Sequence, residues 1–144
     1  MNESNDAVSS FKNGFNCSQS VLSTFSPQFG LNREKALKIS TGFGGGMGSM
    51  GETCGAVTGA FMVIGLKYGR IKIEDTLAKE KTYQMVREFV NQFKKIYGSI
   101  KCKELLGCDI NTLEGKEKAM DQNLFKELCP KFVEDAAKIL NKIL

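Results

Sequence analysis

Six of the ten residues from Gly42 to Gly51 are glycine, in the order Gly42-Phe43-Gly44-Gly45-Gly46-Met47-Gly48-Ser49-Met50-Gly51. That density costs too much backbone entropy for a regular helix, so the stretch is predicted to be a loop. Just after it, Ser49 and Glu52 match the Ser-x-x-Glu capping box, which predicts a helix running to Tyr68 with Gly69 as its stop. This helix contains the longest apolar stretch, Ala56 to Leu66, interrupted by Gly59 and Gly65. It is too short to span a bilayer. Being apolar nearly all round, it is expected to be central and buried.

The rest of the chain reads as helices separated by caps and breakers, with no convincing strand. A first helix is expected over about Asp6 to Lys12, ended by Asn13-Gly14. Asn16, with Gln19 three residues on, predicts a capping box and a helix carrying Val21, Leu22 and Phe25 that stops near Pro27. Asn32 caps a third helix with Ala36, Leu37 and Ile39 on its apolar face. A long amphipathic helix is expected over about Glu74 to Tyr97. Its apolar positions are Leu77, Tyr83, Val86, Phe89, Val90, Phe93 and Ile96, which recur near the helical period. Ser99 opens a short helix with Leu105 and Leu106 inside, ended by Gly107. Two last helices are expected over about Glu114 to Leu128 and Pro130 to Leu144, with Pro130 harmless in a first turn. The expected fold is all-α: a compact single-domain bundle of about six or seven helices around the buried glycine-containing helix. No internal repeat and no second domain is visible in residues 1–144.

Composition narrows the function. The chain has 144 residues, 42% hydrophobic and 25% charged, enough to bury a core without disulfide staples. A formal charge of +4, spread evenly, does not argue for nucleic acid. The start, Met1-Asn2-Glu3-Ser4-Asn5-Asp6, has no basic region and no apolar core, so neither a signal peptide nor membrane insertion is expected and a cytoplasmic location is. There is no histidine. That excludes His-based acid–base catalysis, Ser-His and Cys-His dyads, mixed Cys/His zinc sites and His-ligated haem.

What remains is sulfur. The five cysteines are Cys17, Cys54, Cys102, Cys108 and Cys129. Cytosolic thiols are kept reduced, and an odd count leaves at least one outside any intramolecular pairing. Four of them fall near expected helix starts: Cys17 after Asn16, Cys54 in the first turns of the buried helix, Cys102 after Ser99, and Cys129 before Pro130. A helix start offers free N–H groups and the positive end of the dipole, which favour thiolate, the nucleophile and the metal ligand. The plain alternative is that each cysteine is a small buried hydrophobe.

The glycine run has competing readings. Gly46-x-Gly48-x-x-Gly51 matches the dinucleotide-binding pattern by letter, but it follows a helix instead of a strand. Glu52 stands where a phosphate-binding loop needs lysine. A structural role, letting the loop pack close to other backbone, is the plain reading. Alternatively, backbone N–H groups around Gly45, Gly46, Gly48, Gly51 and Gly55 would wrap a cluster or small substrate beside Cys54. Gly55 and Gly59 share a face that would admit a neighbouring helix or a bulky cofactor.

Several runs together resemble a known family. They are Phe15-Asn16-Cys17-Ser18-Gln19-Ser20-Val21-Leu22, the glycine run Gly42–Gly48, and Gly51-Glu52-Thr53-Cys54-Gly55-Ala56-Val57-Thr58-Gly59-Ala60. Cys102-Lys103-Glu104-Leu105-Leu106-Gly107 follows, then Cys129 with Val133-Glu134-Asp135-Ala136-Ala137 behind it. Nearly the whole chain resembles the C_GCAxxG_C_C family of redox-active proteins. The resemblance carries that family's four cysteines onto Cys17, Cys54, Cys102 and Cys129, and its Cys-Gly-Ala-x-x-Gly signature onto Cys54–Gly59. It implies a bacterial or archaeal redox protein, often encoded near transporters or oxidoreductases, with related segments in iron–sulfur proteins. Cys108 lies outside the four and is expected to be a buried small residue.

Three functions follow. The first is a redox protein, a thiol- or cluster-dependent oxidoreductase in its enzymatic form. It would act by thiol–disulfide exchange or electron transfer, with Cys54 attacking and a second cysteine such as Cys17 resolving. Its partner would be a redox protein or a small-molecule disulfide or electron donor. The second is an iron–sulfur cluster or a Cys₄ zinc site held by Cys17, Cys54, Cys102 and Cys129. No two of these four stand at the close spacing of zinc ribbons or ferredoxins, so four helix starts would have to converge. The third is a non-enzymatic partner or carrier protein with packed cysteines.

Overall fold

The computed structural model describes residues 2–144; Met1, the first residue of the polar start, lies outside them. Among these residues the regular structure is helical: α1 Glu3–Lys12, α2 Cys17–Phe25, α3 Arg33–Ser40, α4 Gly55–Tyr68, α5 Thr76–Tyr97, α6 Cys102–Leu106, α7 Leu113–Asp121, α8 Leu124–Glu127 and α9 Cys129–Ile143. No strand forms among them, and one antiparallel bridge joins Thr53 to Lys101. None of these helices is long and apolar enough to cross a membrane.

The expected all-α, single-domain bundle is what forms, and α4 is its centre. Ala56, Val57, Ala60, Val63 and Ile64 on α4 are fully buried. A Cβ on Gly59 would come within 2.9 Å of Ser18 O and 3.1 Å of Val21 Cβ. The neighbour that the small face of α4 admits is therefore the helix α2. On another side, Phe61 meets Phe89 edge-on, Phe89 stacks on Phe93, and Phe93 contacts Tyr97 and Phe132, which ties α4, α5 and α9 together.

Local signals hold where side chain and backbone agree. Asn16 accepts from Gln19 N at 2.9 Å while Gln19 Oε1 accepts from Asn16 N at 3.1 Å, closing the expected capping box of α2. Asn32 caps α3 by accepting from Lys35 N at 2.9 Å. Gly98 and Gly107 end α5 and α6 in the left-handed conformation.

Other boundaries move. Helix α1 starts three residues earlier than expected, because Asn2 caps it by accepting from Ser4 N at 3.0 Å. The Ser49–Glu52 capping box does not form. Ser49 is left-handed at φ +64°, and Glu52 N donates to Gly46 O at 2.9 Å. Helix α4 therefore starts at Gly55, with Cys54 as its N-cap residue. Helix α5 starts at Thr76, not Glu74, where Asp75 accepts from Ala78 N at 3.1 Å. Leu77, Tyr83 and Ile96 are exposed instead of lining its buried face, and Met85 is buried there with Phe89 and Phe93. Ser99 accepts from Lys101 N at 3.0 Å, but α6 begins only at Cys102. The helix expected over Glu114–Leu128 breaks in two, because Asn123 takes φ +56° between α7 and α8.

Candidate functional site

The glycine segment is a loop, wound in an unusual way. Gly45, Gly46, Met47, Gly48 and Ser49 all have positive φ, so the chain makes a left-handed turn. For Met47 and Ser49 that conformation costs about 1–2 kcal/mol each. The turn satisfies much of its own backbone: Gly48 N donates to Gly42 O, Ser49 N to Gly44 O and Gly51 N to Gly45 O, at 2.7 to 3.1 Å. Beyond it the chain pairs with the start of α6. Cys54 N donates to Ile100 O at 2.8 Å and Cys102 N to Glu52 O at 2.6 Å.

This pairing sets Cys54 and Cys102 side by side at one end of the bundle. The starts of α2 and α9 bring Cys17 and Cys129 to the same place. All four sulfur residues line one cavity of about 160 Å³. Phe11, Leu105, Leu106, Phe125 and Phe132 make its apolar wall, with Asn16, Gly45, Gly46 and Gly55 completing it. Of the glycines expected at a cofactor, Gly48 and Gly51 stand away from the cavity. Gly46 and Gly55 explain their own identity. A Cβ on Gly46 would lie 2.7 Å from Cys102 Cβ and 2.6 Å from Glu52 N; one on Gly55 would lie 3.0 Å from Cys17 Cβ. These glycines let backbone approach the cysteines closely.

The wall was missed in the sequence, although a signal exists. Leu105 and Leu106 follow Cys102 by three and four residues, and Phe132 follows Cys129 by three, so each shares a helix face with its cysteine. Phe11 and Phe125 come from other elements and carry no such signal. Cys108 is half-buried and outside the cavity wall, yet close enough to Cys102 for its charge to be felt there.

The electrostatics reverse the expectation that helix starts depress these thiols. Burial pushes Cys54 up to about 12, although the N–H groups of Ala56 and Val57 pull the other way without closing a full cap hydrogen bond. Burial also pushes Cys102 up to about 12, with Cys54 and Cys129 adding repulsion. Cys17 is raised well above the ordinary thiol value, first by its interaction with the neighbouring Cys129 and then by burial. Cys129 alone is lowered, by that same interaction with Cys17, against its own burial. A dipole or cap contributes about 1–2 kcal/mol at most, whereas full burial moves a thiol by several pKa units, so burial wins at Cys54 and Cys102.

Four thiols are a soft donor set suited to zinc or an iron–sulfur cluster. Among the described residues, no three Cys, Asp or Glu side chains are gathered so as to hold one metal ion.

A family model described as "Putative redox-active protein (C_GCAxxG_C_C)" matches residues 15–143. The chain belongs to this family. The match spans every element that reaches the cavity apart from α1, and takes in Cys17, Cys54, Cys102 and Cys129. No curated protein and no solved structure matches the chain.

Proposed function

We propose that this C_GCAxxG_C_C protein works by thiol–disulfide exchange, with Cys17 and Cys129 as its redox pair. The observation that carries the reading is the juxtaposition of Cys17 and Cys129 on the wall of the shared cavity, where each shifts the other's acidity. It pairs a protonated thiol with the one sulfur of the four that favours thiolate. Thiolate is the attacking form, so Cys129 takes the role that the sequence had suggested for Cys54.

The exchange balances without a further reagent. Cys129 thiolate attacks one sulfur of a substrate disulfide, forms a mixed disulfide and releases a thiolate. The Cys17 proton passes to a departing thiolate. Cys17 sulfur then attacks Cys129, breaks the mixed disulfide and releases the second substrate half as a thiolate, which takes its proton from solvent. The substrate disulfide gains two electrons, and the chain is left with a Cys17–Cys129 disulfide. Cys54 and Cys102 stay protonated at neutral pH and complete the wall.

Mild oxidation of anaerobically purified protein, followed by peptide mapping without reduction, tests the assignment. The expected product is a Cys17–Cys129 cross-link with Cys54 and Cys102 still alkylatable. A preparation with stoichiometric iron or zinc and all four thiols protected would overturn it in favour of a metal site. So would oxidation that yields no Cys17–Cys129 cross-link.

A further inference from the structure

The cavity beside the redox pair also limits what can reach it. Among the described residues no Asp, Glu, Lys or Arg side chain lines it, and its side-chain wall is aromatic and aliphatic carbon, sulfur and a single amide. That amide is already engaged: Asn16 Oδ1 accepts from Gln19 N at 2.9 Å, and its Nδ2 donates to Thr41 O at 2.9 Å. A charged group entering such a space loses its hydration and finds no side chain to replace it. The volume, about 160 Å³, is close to that of an apolar protein cavity that holds a benzene-sized molecule of roughly six heavy atoms.

We propose that the Cys17–Cys129 site is selective for small uncharged disulfides with short alkyl arms, and excludes charged disulfides of peptide or amino-acid type. The inference rests on the thiol-exchange reading above and adds its substrate class. The chemistry of the wall agrees. A departing alkoxide from a hydroperoxide is strongly basic and would need stronger donors than thiol S–H groups. A departing thiolate is far less basic, and the Cys17 proton meets it. For a short dialkyl disulfide, R–S–S–R plus the Cys17 thiol and the Cys129 thiolate gives R–SH, R–S⁻ and the Cys17–Cys129 disulfide, so atoms, electrons and charge balance.

The test uses the intact reduced protein and four disulfides: diethyl disulfide, uncharged bis(2-hydroxyethyl) disulfide, dicationic cystamine and dianionic dithiodipropionate. Each rate of Cys17–Cys129 formation is divided by the rate of the same disulfide with a small free thiol, which removes intrinsic reactivity. Including both signs of charge separates exclusion by an apolar wall from attraction or repulsion by the Cys129 thiolate. Diethyl disulfide is expected to exceed both charged reagents at least tenfold after this correction. Equal corrected rates, or a faster charged reagent, would overturn the substrate class while leaving the redox pair standing. Failure of all four to join Cys17 to Cys129 would overturn both. Phe125→Ser and Leu105→Ser, two independent changes to the wall, are each expected to shrink the preference several-fold. An unchanged preference in both folded variants would overturn the role of the wall.

Discussion

The two ends of α4 are built on opposite terms. Before the helix, residues 42–54 wind tightly, and the spaces that side chains would fill at Gly46 and Gly55 are taken by Cys102, Cys17 and neighbouring backbone. After the helix, the connection from Gly69 to Asp75 leaves Ile71 96% and Ile73 85% exposed, held mainly by Arg70 donating to Ile73 O at 2.7 Å. A Cβ on Gly65, near that end, would meet nothing within 4 Å. The contrast teaches that backbone precision is concentrated where the thiols meet, about 20 Å along the helix from a connection that solvent tolerates.

The largest expected effect strikes the thiol end alone. Cys129→Ser should abolish the two-electron oxidised state, read by thiol titration and non-reducing peptide mapping. Cys54→Ser should retain the Cys17–Cys129 cross-link. Equal loss in both variants would break the distinction between the two pairs.

Alkaline pH should sharpen the contrast next. Cys54 and Cys102 go from an ordinary value of 9.0 to about 12 in the folded chain. Above pH 9 the unfolded chain therefore loses these protons first, and stability falls as pH rises towards 12, by about 1.4 kcal/mol per thiol per pH unit. Cys129 has the opposite sign: its contribution is present above the unfolded value and is lost as pH falls through its lowered folded value. Urea unfolding between pH 8 and about 11 would show the slope. It should be shallower in Cys54→Ser and unchanged in Ile71→Ser.

Glycine substitutions should then split in sign. Gly46→Ala places a Cβ 2.6 Å from backbone nitrogen at φ +71° and should cost about 3 kcal/mol. Gly65→Ala, in an open helical position, should gain about 0.8 kcal/mol. Thermal or urea melts of the two variants measure both. Smallest of all, Ile71→Ser and Ile73→Ser should each stay within about 0.5 kcal/mol of the parent. A larger loss would mean that this connection is not merely solvated.

What was legible in the sequence was local. Asn16 with Gln19, Asn32, and Gly107 announce helix ends through contacts a few residues long, and all three form as read. Ser49 with Glu52 carries the same kind of signal, but its glycine neighbours wind the backbone left-handed and the box cannot close. The break at Asn123 was hidden for a related reason, since asparagine enters the left-handed region at low cost without advertising it. Four cysteines near helix starts were visible; their meeting was not, because it depends on contacts between distant parts of the chain. Their acidity was misjudged because depth of burial is a tertiary property, and it outweighs the helix dipole at Cys54 and Cys102.

The Thr53–Lys101 bridge has a consequence for the order of assembly. It closes a long intervening chain that includes all of α4 and α5, and contacts of such high sequence separation are slow to form. Cys17 and Cys129 reach the same cavity across a still longer span. During synthesis the first three thiols leave the ribosome with no Cys129 to meet, and α9 emerges last. The pocket is thus a late product of folding: a chain that stops before α9 lacks Cys129 and Phe132 and cannot complete the cavity wall.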